Sequence, residues 1–466
     1  MSRPNILIFL ADQLSWKALP AYGNQFLKTP HIDRIAERAV RFDQCYASCP
    51  LCQPARPSLW TGRFPHETGV LSNGRNFPVE PVVEAMPTIG ERFAAAGYRT
   101  VHFGKQHDMG GLRGFEHVEP QKQVEVEPEH PAWPTNYDTH RDRYTRLKTV
   151  EWLQEYAEDA PFLLVADLQN PHDICSWIGA NQGEHEDIPP PGGLPPLPDN
   201  FEIDDLDQRP IPVQYICCSH NRLSQAAVWT EDNYRHYLAA YYHYCHRLDG
   251  EIGHILDALE ARDDAADTLI VFLADHGDGM ASHRMVTKQV SLYDETTRVP
   301  LMIAGPGIES QDCSALVSQL DLLPTLCELA GVERPPALWG QSLGPLLADA
   351  AGDAHPYVVS EWHTEWGFTI SPGRMLRTAR YKYTRYLEGE GEELYDLLAD
   401  PGETRTLIHD PDHQDALAEH RAILERHLAE TGDPFLSHSW KADPRWRSHD
   451  LGYPHHCGPA APMADA

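Results

Sequence analysis

The chain has 466 residues, 41% of them hydrophobic and 23% charged, which is the make-up of a globular protein with material for one large domain and a smaller one. Its 69 acidic side chains against 38 basic ones give a formal charge of −31, which argues against nucleic acid or an anionic membrane surface as partner, since both need a basic face. A small anionic substrate stays compatible, because a local group of cations outweighs a distant field that salt screens.

In chain order, the first apolar run is Asn5–Ala11. It is short, lacks a small-residue cleavage site and leads straight into Asp12, so it reads as a buried strand and not as a targeting signal. No stretch is long enough to span a bilayer. The ten cysteines are scattered without zinc-type Cys/His spacing, and they read as reduced thiols of a cytoplasmic protein. Further apolar runs at Arg99–Gly104, Pro161–Gln169, Thr268–Ala274 and Val299–Gly305 have the continuous Ile/Leu/Val/Phe content of parallel strands covered on both faces. Between them, Met86–Ala96 reads as a helix stopped by Gly97. Glu231–Arg262 reads as a long helix, with Tyr234, Leu238, Tyr241, Cys245, Leu248, Ile252, Ile255 and Leu259 at three- and four-residue spacing. This alternation predicts an α/β protein built on a doubly wound sheet flanked by helices, with functional groups beyond the carboxyl ends of the strands.

From His185 to Pro212 the chain carries eight prolines, the mark of a long ordered excursion. Near residue 350 the pattern changes: Tyr357–Ser360 and Met375–Tyr383 read as strands and Asp412–Glu430 as an amphipathic helix. The predicted organisation is a catalytic domain over 1–350, a smaller C-terminal α+β domain over 351–440, and a surface tail over 441–466.

Polar clusters fall just after the strands. Asp12-Gln13 follows the first, and Asp275-His276-Gly277 follows Thr268–Ala274. Alone, either pair serves equally well as a turn or cap. Together they offer two carboxylates, a carboxamide and an imidazole to one divalent cation at two ends of one sheet. Cys52-Gln53-Pro54-Ala55-Arg56, with Thr61-Gly62 beyond it, is the most specific segment. It resembles the signature of the type I, formylglycine-dependent sulfatases of the alkaline phosphatase superfamily: Cys or Ser, any residue, Pro, Ser or Ala, Arg, four residues, then Thr-Gly. The resemblance continues in Gly104-Lys105-Gln106-His107, Asn170-Pro171-His172, Lys288 with Tyr293-Asp294-Glu295 and Arg298-Val299-Pro300, and Glu393-Leu394-Tyr395-Asp396-Leu397 with Asp400-Pro401 and Glu403.

What the resemblance implies is an alkaline phosphatase-like fold with a large mixed sheet, and hydrolysis of a sulfate monoester. Cys52 becomes formylglycine through a maturation enzyme. One hydroxyl of the hydrated aldehyde, made acidic by the metal, attacks sulfur; the second then expels sulfate. Asp12, Gln13, Asp275 and His276, with the modified Cys52, hold the ion. Arg56 steadies the diol, Lys105 and Lys288 bind sulfate oxygens, His107 is the base, and His172 or Lys288 protonates the leaving oxygen. Many members carry Asp where Gln13 stands and Asn where His276 stands. The first change lowers the ligand charge and the second exchanges an oxygen donor for a nitrogen, which leaves manganese open beside calcium.

Three rivals remain. A phosphonate monoester or phosphodiester hydrolase shares the signature and the Asp-Gln and Asp-His pairs, although Gly-Lys-x-His is the sulfatase form. A two-metal phosphatase of this fold needs a Ser or Thr nucleophile and further ligands. A silent binder of a sulfated ligand leaves Cys52 unmodified. Gly277-Asp278-Gly279-Met280 and Ser282-His283-Arg284 are similar to bacterial carbohydrate sulfatases, including those acting on 2-O-sulfated uronic acids. On that resemblance His283 and Arg284 meet a sugar carboxylate, and Trp177 with the run Trp362-His363-Thr364-Glu365-Trp366 supplies a stacking wall. Choline sulfate and small aryl sulfates are the alternative esters.

Overall fold

The computed structural model describes residues 3–73, 81–124, 140–180, 193–202, 205, 208–210, 212–213, 229–288, 291–352, 355–363, 372–389 and 391–437. Residues 185–192, 203–204, 206–207 and 211 of the proline-rich excursion, Thr364 to Trp366 and the 441–466 tail lie outside the described residues.

Eight strands form the main sheet: β1 Asn5–Asp12, β2 Ala39–Tyr46, β3 Arg99–Gly104, β4 His117–Pro120, β5 Phe162–Pro171, β6 Thr268–Ala274, β7 Arg298–Ala304 and β8 Gln311–Ser318. Their order is β4-β3-β5-β1-β6-β7-β2-β8. Ile6 to Leu10 of β1 are completely buried on both faces, each side chain adding ~1.5–3 kcal/mol of burial. All neighbours pair in parallel except β7, which runs antiparallel to both β6 and β2. The expectation that Val299–Gly305 is a parallel strand is therefore corrected. A run buried on both faces carries the same apolar signature in either direction, so composition is blind to its sense. The reversal has a consequence for the site. The connection between β6 and β7 leaves and re-enters the sheet at one edge, so the stretch from Asp275 to Lys288 lies over the carboxyl ends of β1, β3, β5 and β6.

The helix expected over Met86–Ala96 spans Ile89–Ala95, capped by Thr88, whose hydroxyl accepts from the Glu91 N–H. The long helix spans Glu231–Glu260 and is capped by Thr230 in the same way. Among the described residues, no helix is long and apolar enough to cross a membrane.

A second, antiparallel sheet follows: β9 Tyr357–Trp362, β10 Gly373–Thr378, β11 Tyr381–Tyr386 and β12 Glu392–Asp396, in the order β12-β11-β10-β9. The single strand read over Met375–Tyr383 is in fact a hairpin, β10 and β11, with Arg377 opposite Lys382. The two turn residues Ala379-Arg380 carry neither Gly nor Pro and so gave no break signal. Helix Gln414–Thr431 covers this sheet, setting Leu417, Leu424 and Leu428 against Val359, Leu376, Tyr383 and Leu394.

Candidate active site

Helix Cys52–Thr61 is buried along its whole length, and Cys52 is its first residue. An N-terminal position sets the Cys52 side chain at the positive end of the helix dipole. Around the sulfur stand Lys288 Nζ at 2.9 Å, His276 Nε2 at 3.1 Å and Asp12 Oδ1 at 3.6 Å. Burial pushes the Cys52 thiol up to about 11, against the pull of Lys288 in the other direction.

Each partner arrives from a strand end. β1 delivers Asp12 and then Gln13, whose backbone sits at φ 66. β6 delivers Asp275 and His276. Gly277 is required next, because a Cβ there would meet the Glu295 carbonyl oxygen at 2.0 Å. β3 ends on Gly104, where φ is 122 and a Cβ would meet the Asp167 carbonyl oxygen at 1.9 Å; this close crossing brings Lys105 over the sheet edge. There Lys105 forms an ion pair with Asp12. Burial, followed by repulsion from Lys288, brings the Lys105 ammonium down to about 8.

Arg56 sits one turn into the helix, buried among carboxylates. Its Nε donates to Asp275 Oδ2 at 2.9 Å and its Nη1 to Asp167 Oδ2 at 2.6 Å. Its Nη2 lies 3.7 Å from Asp12 and makes no hydrogen bond. The Gln13 N–H donates to Asp275 Oδ1 at 3.0 Å, and Gln13 Oε1 accepts from Lys288 Nζ at 3.0 Å. His276 turns Nδ1 to the Gly277 carbonyl at 2.9 Å, which leaves Nε2 facing the sulfur. Burial and Lys288 hold its imidazole neutral, lowered to about 3 against the opposing pull of Asp275.

The arrangement fits one divalent cation. Asp12, Cys52, Asp275 and His276 each offer a ligand atom, all within 4.8 Å of one another and all buried. Two carboxylates, a neutral imidazole and the inward oxygen of Gln13 make an oxygen-rich set with one nitrogen.

His107 follows Lys105, with Nε2 3.1 Å from the side-chain oxygen of Gln53 once that amide is turned to satisfy its neighbours. Burial and the surrounding cations lower it to about 2, so it is neutral. His172 lies at the end of β5, its Nδ1 2.9 Å from Gln169 Nε2.

The residues read as substrate contacts are placed differently. His283 is buried, its Nε2 2.8 Å from the Gly402 carbonyl oxygen and its ring edge-on to Tyr293. Arg284 pairs with Glu202 over the ring of Phe201. Trp177 packs with Trp229 and Tyr237, and Trp362, the last residue of β9, lies in the core. His363 holds Glu361 at 3.1 Å. All five are engaged with protein groups.

Sequence reasoning did not single out Asp167 or His102. Asp167 accepts from Arg56 and lies 3.1 Å from His102 Nε2. The available signal was an acid directly after five apolar residues in a strand buried on both faces, where a charge has to be paired.

A doubly wound sheet carrying a nucleophile position, two buried acids and paired lysines at its carboxyl edge defines a hydrolase of anionic esters. Residues 4–332 match the sulfatase family, and residues 281–430 match the C-terminal family of N-sulphoglucosamine sulphohydrolase. The chain is 49% identical over 464 residues to a Delta 4,5-hexuronate-2-O-sulfatase of Bacteroides thetaiotaomicron, covering 98% of this chain and 96% of that protein. The solved structure of a 2-O GAG sulfatase superposes with a TM-score of 0.89 at 48% identity, over 99% of each chain. A phosphonate monoester hydrolase of Agrobacterium radiobacter shares the fold, with a TM-score of 0.73 at 21% identity over 93% of this chain and 97% of that one. The chain belongs to the sulfatase family and is a sulfuric ester hydrolase.

Proposed function

We propose that this enzyme removes the 2-O-sulfate from a hexuronate in a sulfated carbohydrate, with formylglycine made from Cys52 by a maturation enzyme and one divalent cation, calcium or manganese. The observation that carries the reading is the placement of Cys52. The signature cysteine opens a buried helix, with Lys288 at 2.9 Å and His276 at 3.1 Å. The ester is inferred from the relative that shares half of the residues over nearly the whole length.

When bound, the cation and formylglycine supply a polarised sulfate and an acidic hydroxyl. The chain's own groups then divide the remaining work. Lys105 and Lys288 offset charge on the sulfate oxygens, in a site dry enough for each to count. Arg56, locked by Asp167 and Asp275, keeps Nη2 for the group at position 52. His107 is a neutral acceptor for a proton from that group, and His172 or Lys288 returns one to the leaving oxygen.

The test combines the mass of the peptide containing Cys52, from protein matured in a competent host, with turnover of sulfated disaccharides. The expected result is formylglycine at position 52 and desulfation of a 2-O-sulfated unsaturated hexuronate disaccharide. A thiol at 52 after competent maturation, or faster turnover of an aryl phosphonate than of any sulfate, overturns the reading.

A further inference from the structure

A carboxamide serves a cation only through its oxygen, since its NH2 carries the opposite polarity. The shape of the side chain does not choose between the two ends, so the neighbours of Gln13 must. On the inward side, Gln13 Oε1 meets Lys288 Nζ at 3.0 Å and the Cys175 thiol at 3.5 Å. On the outward side, Gln13 Nε2 donates to Asp278 Oδ2 at 2.7 Å. Asp278 is itself pinned. Its Oδ1 accepts from the Met280 N–H at 2.8 Å and from the Tyr237 hydroxyl. That hydroxyl accepts from the Thr287 N–H at 2.8 Å, which directs its proton to Asp278. Gln13, Asp278 and Tyr237 are all fully buried, so no water competes for these bonds.

We propose that Asp278 is a positioning residue: by accepting from Gln13 Nε2 it turns the carboxamide oxygen toward Lys288 and the cation. A negative charge is thus held behind an oriented amide and not at position 13 itself. This inference rests on the reading of the site as a cation site.

The geometry dictates what two substitutions do. Asp278→Asn leaves a single oxygen at that position, and Met280 N–H and Tyr237 O–H both claim it. The new NH2 then faces Gln13, whose amide has to reverse and turn its own NH2 on Lys288 and the cation. Gln13→Glu beside an intact Asp278 instead sets two acceptor groups of like charge at hydrogen-bond distance, which repel one another. In Q13E/D278N the bond is restored, with the carboxylate at 13 accepting from the amide at 278.

The experiment titrates Ca2+ and Mn2+ calorimetrically into the full chain, stripped of metal and carrying Cys52 as the thiol. D278N is expected to bind both ions ~10–100-fold more weakly than wild type, as loss of an outer-shell partner does. Q13E is expected to improve affinity about tenfold more on the D278N background than on the wild-type one, a coupling that a merely structural role does not produce. Wild-type affinity in D278N, or an equal effect of Q13E on both backgrounds, overturns the proposal. Should D278N fail to fold, recovery of the native circular dichroism in Q13E/D278N supports it and continued unfolding overturns it. Neither substrate nor conversion of Cys52 enters the titration, so a wrong ester assignment leaves the result untouched. A wild-type chain that binds neither ion overturns the site reading and the proposal together.

Discussion

His66 ties the segment after the Cys52 helix to the second sheet, and its replacement by Gln gives a stability effect with a defined pH dependence. Its Nδ1 lies 2.6 Å from Glu361 Oε1 on β9, its backbone N–H donates to Glu361 Oε2 at 3.0 Å, and Asp433 stands 3.7 Å away. Arg374 donates to Asp433 at 2.6 Å, so two cations and two carboxylates balance in a buried cluster. Burial alone would lower the His66 pKa, but Glu361 and Asp433 outweigh it and raise the group from 6.5 to about 9. At 1.36 kcal/mol per tenfold change in proton affinity, that rise amounts to ~3 kcal/mol of preference for the folded state. Because the folded value is the higher one, this stability is present in full below the unfolded pKa of 6.5 and is lost as pH rises through about 9.

His66→Gln keeps a donor near Glu361 and removes the charge. The variant is therefore expected to be ~3 kcal/mol less stable than wild type at about pH 6, with the two curves converging near pH 10. Urea unfolding followed by tryptophan fluorescence at both pH values measures the difference directly. A deficit that is the same at both, or larger at the alkaline one, refutes the charge-pair argument. With the clasp open, helix Cys52–Thr61 loses an anchor at its far end, so kcat should fall with stability across the same pH range.

Lys288→Met removes the ammonium that contacts both Cys52 Sγ and Gln13 Oε1, and steady-state kinetics on matured enzyme should show kcat/KM lower by ~10²–10³, as for loss of one preorganised donor to a developing anion. Chelation of the cation should lower Tm, since saturation at about 100 times the dissociation constant is worth ~2.7 kcal/mol; Asp12→Asn should abolish the difference between chelated and loaded protein in a thermal scan. Arg284→Ala breaks an exposed pair with Glu202 and should cost no more than ~1 kcal/mol, with KM unchanged. Trp177→Ala empties a core position and should cost ~3–5 kcal/mol in urea unfolding. A large KM rise in Arg284→Ala would return that residue to the substrate.

The contrast between Asp12 and His283 explains which parts of the site were legible. Asp12, Gln13, Asp275 and His276 directly follow apolar runs, and a strand of a doubly wound sheet delivers whatever comes next to its carboxyl edge, so chain order already implies proximity. Position 283 lies in a loop, where the next residue says nothing about which way a side chain turns. What fixes His283 is the Gly402 carbonyl, 119 residues downstream, together with Asn200, and no local pattern reports such a contact. Trp177 and Trp362 were read for the chemistry of their rings, but burial of a large ring in a core satisfies the same residue type. The sense of β7 was invisible because apolar content has no direction, and Asp167 because periodicity alone ranks a buried acid as an interruption. Asp278 is the instructive middle case. It stands in a motif of consecutive residues, yet its bond to Gln13 spans 265 positions and exists only because β1 and β6 are neighbours. The sequence therefore exposes groups that a strand end presents, whereas the partners that orient those groups become visible only once the sheet order is known.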